Sequence, residues 1–169
     1  MPAAAAGHAS TAARFPEHVS EPDRQTLLSW ARECHLHQRP PDFTLGSPGQ
    51  PYLQRWYVLR NGQDWLELPA PERARVLREE NPREDRRGSG GNLFIHCFVQ
   101  SDDARALHDH PWDWETTLLH GSYYEHQPAD PLVPHGATQR LLRTPGRIIR
   151  RAAGACHRIE LVGGAPVIT

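Results

Sequence analysis

The sequence lacks most of what would take a chain into a membrane or onto a nucleic acid. No run approaches the roughly 18 consecutive apolar residues that would span a bilayer. The alanine-rich start has neither a basic segment nor a long apolar core, so no secretory leader is expected. Charge of one sign is also missing: the formal net charge is -1, which creates no global field for nucleic acid or for an anionic membrane surface. Cysteine is scarce and scattered. Cys34, Cys97 and Cys156 are odd in number and none forms a Cys-x-x-Cys pair, which excludes a disulfide framework and points to a reduced, cytoplasmic setting. No repeat of fixed period is visible.

Turn formers are abundant. With 16 Pro and 13 Gly in 169 residues, the composition favours loops and short strands over long helices, and the length suits one domain with its own core. Residues 1–20 have no periodic apolar face and read as a flexible N-terminus. Ser20 followed by Glu21-Pro22-Asp23 is a helix start. Leu27, Leu28, Trp30, Ala31 and Cys34 follow at helical spacing, which predicts a helix at about 22–36. His35 and His37 fall at its end, where they diverge and face solvent or the helix C-terminus. Residues 38–51 hold four prolines and two glycines and read as a linker.

Tyr52 to Leu59 reads as a strand ending at an Asn61-Gly62 turn. Residues 69–80 read as a short surface helix, and 81–91 as a charged loop whose Arg83, Arg86 and Arg87 form a solvated face. Residues 21–91 are therefore expected to be an extension. From 92 to 169 the pattern changes to short strands between turns, the signature of a sandwich or barrel: 93–100, 114–120, 122–126, 138–143, 147–151, 156–162 and 166–169.

The stretch from Leu107 to Glu115 carries the chemistry. His108 and His110, one residue apart on an extended segment, point to the same side, and imidazole is the commonest ligand for divalent transition metals. Pro111 breaks the ladder after the pair, so the parity is expected to switch there. Glu115, Thr117, Leu119, Gly121, Tyr123 and Glu125 would then share the inward face, with Glu115 as a hard oxygen donor and His157 closing the set. On the same parity Tyr123 is a candidate to hydrogen-bond substrate, and Glu125 a candidate base or orienter of a ligand. Trp112 and Trp114 would form an aromatic wall or core packing, and His96 a partner behind the ligands. An inward arginine among Arg147, Arg150 and Arg151 would signal an anionic substrate. Cys156 has the opposite parity to His157.

Here the chain resembles the cupin superfamily. Its first motif is matched by His108-x-His110, four residues, Glu115, five residues and Gly121, with Asp102 where the leading glycine belongs. Its second motif is matched by Gly146, Gly154 and His157, with Ala152 for the proline and Leu161 for the asparagine. The string His-Asp-His-Pro-Trp followed by Gly-x-Tyr-x-Glu is similar to small bacterial and phage cupins.

The resemblance covers about residues 92–169. It implies an all-β fold, a cupin double-stranded β-helix or jelly-roll barrel, here with an N-terminal helical extension. It also implies His108, His110, Glu115 and His157 as metal ligands, with Glu125 the alternative carboxylate. The metal would be Fe(II) first, with Mn, Ni, Cu or Zn as the other candidates. The expected function is a non-haem iron oxygenase, a dioxygenase-type oxidoreductase acting on a small organic molecule. The alternatives are a redox-neutral lyase, isomerase or hydrolase, and a non-catalytic small-molecule-binding module. Exposed edge strands make a homodimer the expected assembly.

Overall fold

The computed structural model describes residues 16–47, 49–79, 91–134 and 136–169. The expectations for residues 1–15 and for the charged loop at 80–90 lie outside them.

Helix α1 (Glu21–Ala31) starts where the cap signal places it, with the Ser20 hydroxyl accepting from the Asp23 backbone N–H at 3.3 Å. The chain then winds more loosely through a π-helical turn, Arg32–Leu36. The cysteine-free stretch read as a linker contains a strand, β1 (Phe43–Ser47), which pairs antiparallel with β2 (Gln50–Arg60). Prolines hid it, because β1 is an edge strand whose register shifts between Leu45 and Gly46, and edges and bulges are where prolines and glycines are tolerated. The Asn61-Gly62 turn, with φ of 50° and 78°, returns the chain into β3 (Gln63–Asp64), as a two-residue hairpin of this type requires. Helix α2 (Ala70–Glu79) follows.

The later strands are β4 (Leu93–Phe98), β5 (Trp114–Thr117), β6 (Tyr123–Pro128), β7 (Thr138–Arg143), β8 (Ile148–Arg151), β9 (Arg158–Leu161) and β10 (Val167–Ile168). They form three sheets: β1-β2-β4-β10 with β3 beside β2, a β5-β8 pair, and β7-β6-β9. The fold is mostly β-sheet with two α-helices among the described residues. The expectation of a closed barrel needs correcting, because the sheets do not join into one continuous ladder among these residues. Isolated bridges link them instead, at His18 with Arg147, His108 with His157, and His120 with Ile168. Strands of two to six residues after β2, interrupted by Pro111, Gly121, Pro145 and Gly154, leave too little unbroken backbone for continuous pairing. The segment expected to be an extension is integral to the fold, since β1, β2 and β3 lie in the same sheet as β4 and β10.

Alternation along β2 and β4 builds two cores. On one face Trp56 and Ile95 meet Leu28 and Ala31 of α1, together with Leu119 and Ile168. The other face carries Leu53, Arg55 and Tyr57 opposite Phe98, His96 and Phe94. Phe98 and Trp114 pack on a second core of Leu118, Tyr123, Ile149, Ile159, Leu161 and Val167. Each such side chain withdrawn from water stabilises the fold by about 1.5–3 kcal/mol.

Gly121, at φ 75°, turns the chain between β5 and β6, and a Cβ there would stand 2.5 Å from the Pro166 carbonyl oxygen and 2.9 Å from Val167 Cγ2. Gly154 has a similar φ of 78° but open space around it. Gly121→Ala is therefore expected to destabilise the protein by about 2 kcal/mol more than Gly154→Ala, which meets only the backbone strain of about 1 kcal/mol. Urea unfolding of the two variants reads the difference, and equal midpoints would show that the Pro166-Val167 backbone yields freely.

Candidate metal centre

The site is assembled by one pair of backbone hydrogen bonds. His108 and His157 lie directly opposite each other, and the N–H of each donates to the carbonyl of the other at 2.8 Å. Opposed residues of an antiparallel pair show their side chains on one face, and His110, two residues on, shows its own there too. The Gly154 N–H donates to the His110 carbonyl at 2.8 Å and closes the far end of the pairing. One ring nitrogen from each of His108, His110 and His157 falls within 4.8 Å of the others. The Nε2 atoms of His110 and His157 are 3.2 Å apart. Two nitrogens bound to one ion at about 2.0–2.1 Å, with angles between about 90° and 109°, stand about 2.8–3.4 Å apart, so this spacing suits a shared cation.

A carboxylate stands behind each of two rings. Glu125 on β6 is 0% exposed and His157 4%. Their Oε1 and Nδ1 atoms are 3.5 Å apart, and neither has another hydrogen-bond partner. The other oxygen of Glu125 accepts from Arg143 Nε at 2.8 Å and from an Arg151 Nη at 2.6 Å. Burial by itself would raise the Glu125 carboxyl, but the His157 imidazole and the Arg151 and Arg143 guanidiniums outweigh it and hold it down at about 2. An anion facing Nδ1 keeps the proton on that nitrogen and leaves Nε2 of His157 with its lone pair free, the arrangement in which a carboxylate orients a metal-binding histidine.

Asp102 plays the matching part for His108, with Oδ2 at 3.7 Å from Nδ1. Asp102 is itself fixed by the Tyr52 hydroxyl and by the Ile159 N–H, which donates at 2.5 Å. It was not singled out from the sequence, and its only signal was an acidic residue where the first motif has glycine. Arg143 was also missed, because nothing in its local sequence distinguishes it from other strand arginines.

The structure brings together three of the four ligands read from the sequence. Glu115 stands apart from them, exposed on the opposite face, where it pairs with Arg150 across the β5-β8 ladder at 2.5 Å. The inward face changes parity later in the chain than Pro111. Trp114 and Thr116, opposite Arg151 and Ile149, continue the inward parity of His108 and His110, so Pro111 does not switch the face. The switch comes at the Gly121 turn, after which Tyr123 and Glu125 point inward.

Tyr123 is buried in the second core, and its phenol is raised by burial and by the neighbouring Glu125 charge, so it is held as a neutral hydroxyl. Trp114 lies with its ring 5.2 Å from that of His157 and 5.8 Å from that of His110, and Trp112 lies 5.9 Å from His110. The Nε1 of Trp114 is a buried donor without a partner among the described residues. His96, opposite Arg55, accepts from its Nε at 2.8 Å. Cys156 points away from the cluster with its thiol toward the Gly154 carbonyl, and all three cysteines are unpaired.

Burial first, then the charge of Arg55, pushes His96 down to about 3. Burial first, then His157 and His108, pushes His110 down to about 4. Both rings are therefore neutral in the folded chain, whereas in the unfolded chain they take up protons near pH 6.5. As the pH falls the unfolded state binds protons first, so their contribution is fully present above about pH 6.5 and is lost as the pH falls toward about 4 for His110 and toward about 3 for His96. The metal-free protein is expected to melt at a lower temperature at pH 5 than at pH 7, and His96→Gln to flatten that slope. Carboxylates titrate mostly below this window. A melting temperature that does not change between pH 7 and 5 would mean that these rings are not held neutral.

Neither a family model, nor a curated protein, nor a solved structure matches the chain.

Proposed function

We propose that the protein is a metal-dependent enzyme of the cupin type, its sheets arranged as an open variant of the jelly roll, working in the cytoplasm as a non-haem Fe(II) oxygenase on a small organic molecule. The observation that carries this reading is the convergence of three imidazoles from two distant segments. The donor set fits a divalent transition ion: three nitrogen ligands, with thiols kept away and carboxylates behind the rings, leave coordination positions open for other molecules. His108, His110 and His157 would hold the ion, and the buried Nδ1 of His157 is accounted for by Glu125. Bound there, such an ion supplies Lewis acidity and, as iron, one-electron chemistry.

The chain's own groups do the rest. Glu125 orients the His157 ring and favours the tautomer with the proton on Nδ1, and Asp102 faces the Nδ1 of His108 at longer range. Trp114, its ring against those of His110 and His157, presents apolar surface to one side of the site, while His108 stays open to solvent. The Tyr123 phenol keeps its proton, so it can donate a hydrogen bond but does not serve as a base. Glu125, saturated on one oxygen by two guanidiniums, serves better to position His157 than to accept a proton from substrate.

Elemental analysis of protein purified without an affinity tag is expected to find about one transition-metal ion per chain, and His108→Ala and His157→Ala to remove most of it. Equal metal content in parent and variants would take the reading away. With metal confirmed, oxygen consumption in the presence of a turned-over substrate identifies an oxygenase, whereas turnover without it identifies a redox-neutral enzyme.

The orienting role of Glu125 depends on its charge. Glu125→Gln, which keeps the shape but leaves two buried guanidiniums without their anion, is expected to weaken metal binding about 10- to 100-fold. A competitive chelator titration measures this, and unchanged affinity would reduce Glu125 to a structural ion-pair partner.

A further inference from the structure

Behind His157 two guanidiniums share one carboxylate. Arg143 and Arg151 both direct their guanidiniums to the same oxygen of Glu125, at 2.6 Å each. Their side chains are only 12% and 20% exposed, and Glu125 is fully buried. The other bonds of Arg151 go to neutral acceptors, the Gln127 amide oxygen and the Arg150 carbonyl. One carboxylate against two guanidiniums gives this group a net positive charge; the other buried carboxylate near the imidazoles, Asp102, is engaged by the Tyr52 hydroxyl and the Ile159 N–H and faces His108, and pairs with neither arginine. Holding such a group away from water is costly unless an anion answers it.

A second, independent observation lies on the adjoining strand. Trp114 sits directly across the β5-β8 ladder from Arg151. Its Nε1 is buried with no acceptor, and its ring packs against those of His110 and His157. A buried N–H without a partner is rare in native proteins and calls for an acceptor from outside the chain.

We infer that the molecule bound beside the metal triad is a small organic acid, whose carboxylate takes the surplus charge of the Arg143-Arg151 pair and accepts from Trp114 Nε1. This rests on the metal-site reading for the location of the reacting centre, but the anion site stands on its own residues. A monoanion matches the net charge of the Glu125-Arg143-Arg151 group, and a guanidinium presents planar, paired donors suited to carboxylate oxygens. Arg55, whose charge also bears on His110, adds to the positive potential from the β4 side.

The test is calorimetric titration of the full chain with propanoate and with its neutral counterpart propanamide, both metal-free and loaded with cobalt(II). The metal-free arm removes any direct bond between carboxylate and metal. Propanoate is expected to bind the metal-free protein at least about ten-fold more tightly than propanamide, the usual advantage of hydrogen bonds to a charged group. Trp114→Phe and Arg151→Gln are each expected to lower propanoate affinity several-fold, and Arg151→Gln, which removes the charge, to affect propanamide much less. Should Arg151→Gln not fold, Trp114→Phe, which removes only the indole N–H from an otherwise similar ring, decides alone.

Equal affinity for the two probes, no binding of propanoate, or wild-type propanoate affinity in Trp114→Phe overturns the inference. Cobalt(II) titration separates this from the parent reading. Propanoate binding without cobalt binding leaves the anion site and removes the metal centre, while cobalt binding with no preference for propanoate does the reverse.

Discussion

The two reciprocal hydrogen bonds between the backbones of His108 and His157 are the constraint on which the site depends. They close a long excursion of chain through four strands, β5 to β8, at an entropic cost that grows only slowly with loop length. Register matters more than length here. A slip of one residue would present Cys156 or Arg158 to the cluster instead of His157, because alternate side chains exchange faces. The bridge is isolated, so its register is secured from either side. The Asp102 N–H donates to the Ile159 carbonyl at 2.8 Å, the Ile159 N–H donates to the Asp102 carboxylate, and Gly154 is tied to His110. Asp102 thus both pins the strand bearing His157 and faces the ring of His108.

The buried ionic group at Glu125 is best understood as positioning rather than as a source of stability. Ion pairs removed from water often contribute less than well-packed apolar residues of the same volume would. A chain selected only for stability would fill this space with more of the leucine and isoleucine already present at Leu118, Ile149 and Ile159. Instead an anion stands against Nδ1 of His157, with two guanidiniums to hold it ionised. The same arrangement that fixes one tautomer leaves positive charge next to the imidazoles. Orientation of a ligand and attraction of an anion are consequences of one cluster.

Much of this was legible in the sequence. The helix cap at Ser20, the Asn61-Gly62 turn and the strands around 93–98 and 138–143 depend on local chemistry, which a window of a few residues contains. The His108, His110 and His157 convergence was legible for another reason, since period-2 geometry fixes the first two and the spacing of the later glycines suggests the third. Glu115 and β1 were misread because each depended on something non-local. The face of Glu115 is set by pairing with Arg150, and β1 exists only because β2 offers it an edge. Asp102 and Arg143 were invisible for the same reason, as their roles appear only once distant strands lie side by side.

The N-terminal segment is part of how the site is built, and the reason is found between β5 and β6. Leu118 and Leu119 are adjacent and both buried, yet they enter different cores, Leu118 on the site side and Leu119 beneath α1. Adjacent side chains of an extended segment face opposite ways, and both can be buried only where a core lies on each side. Here one does, because α1 supplies the second. The Arg24 guanidinium of α1 donates to the Leu119 carbonyl, and the Leu119 N–H donates to the Ile168 carbonyl at 2.8 Å. With Leu119 held on both sides, the reversal of parity is confined to the short segment ending at Gly121. That reversal turns Glu125 inward to His157 while Glu115, ten residues earlier on the same parity, stays in solvent with Arg150. Removing α1 would therefore act on the histidine cluster through the face that β6 presents, although the helix itself packs on the opposite side of the sheet.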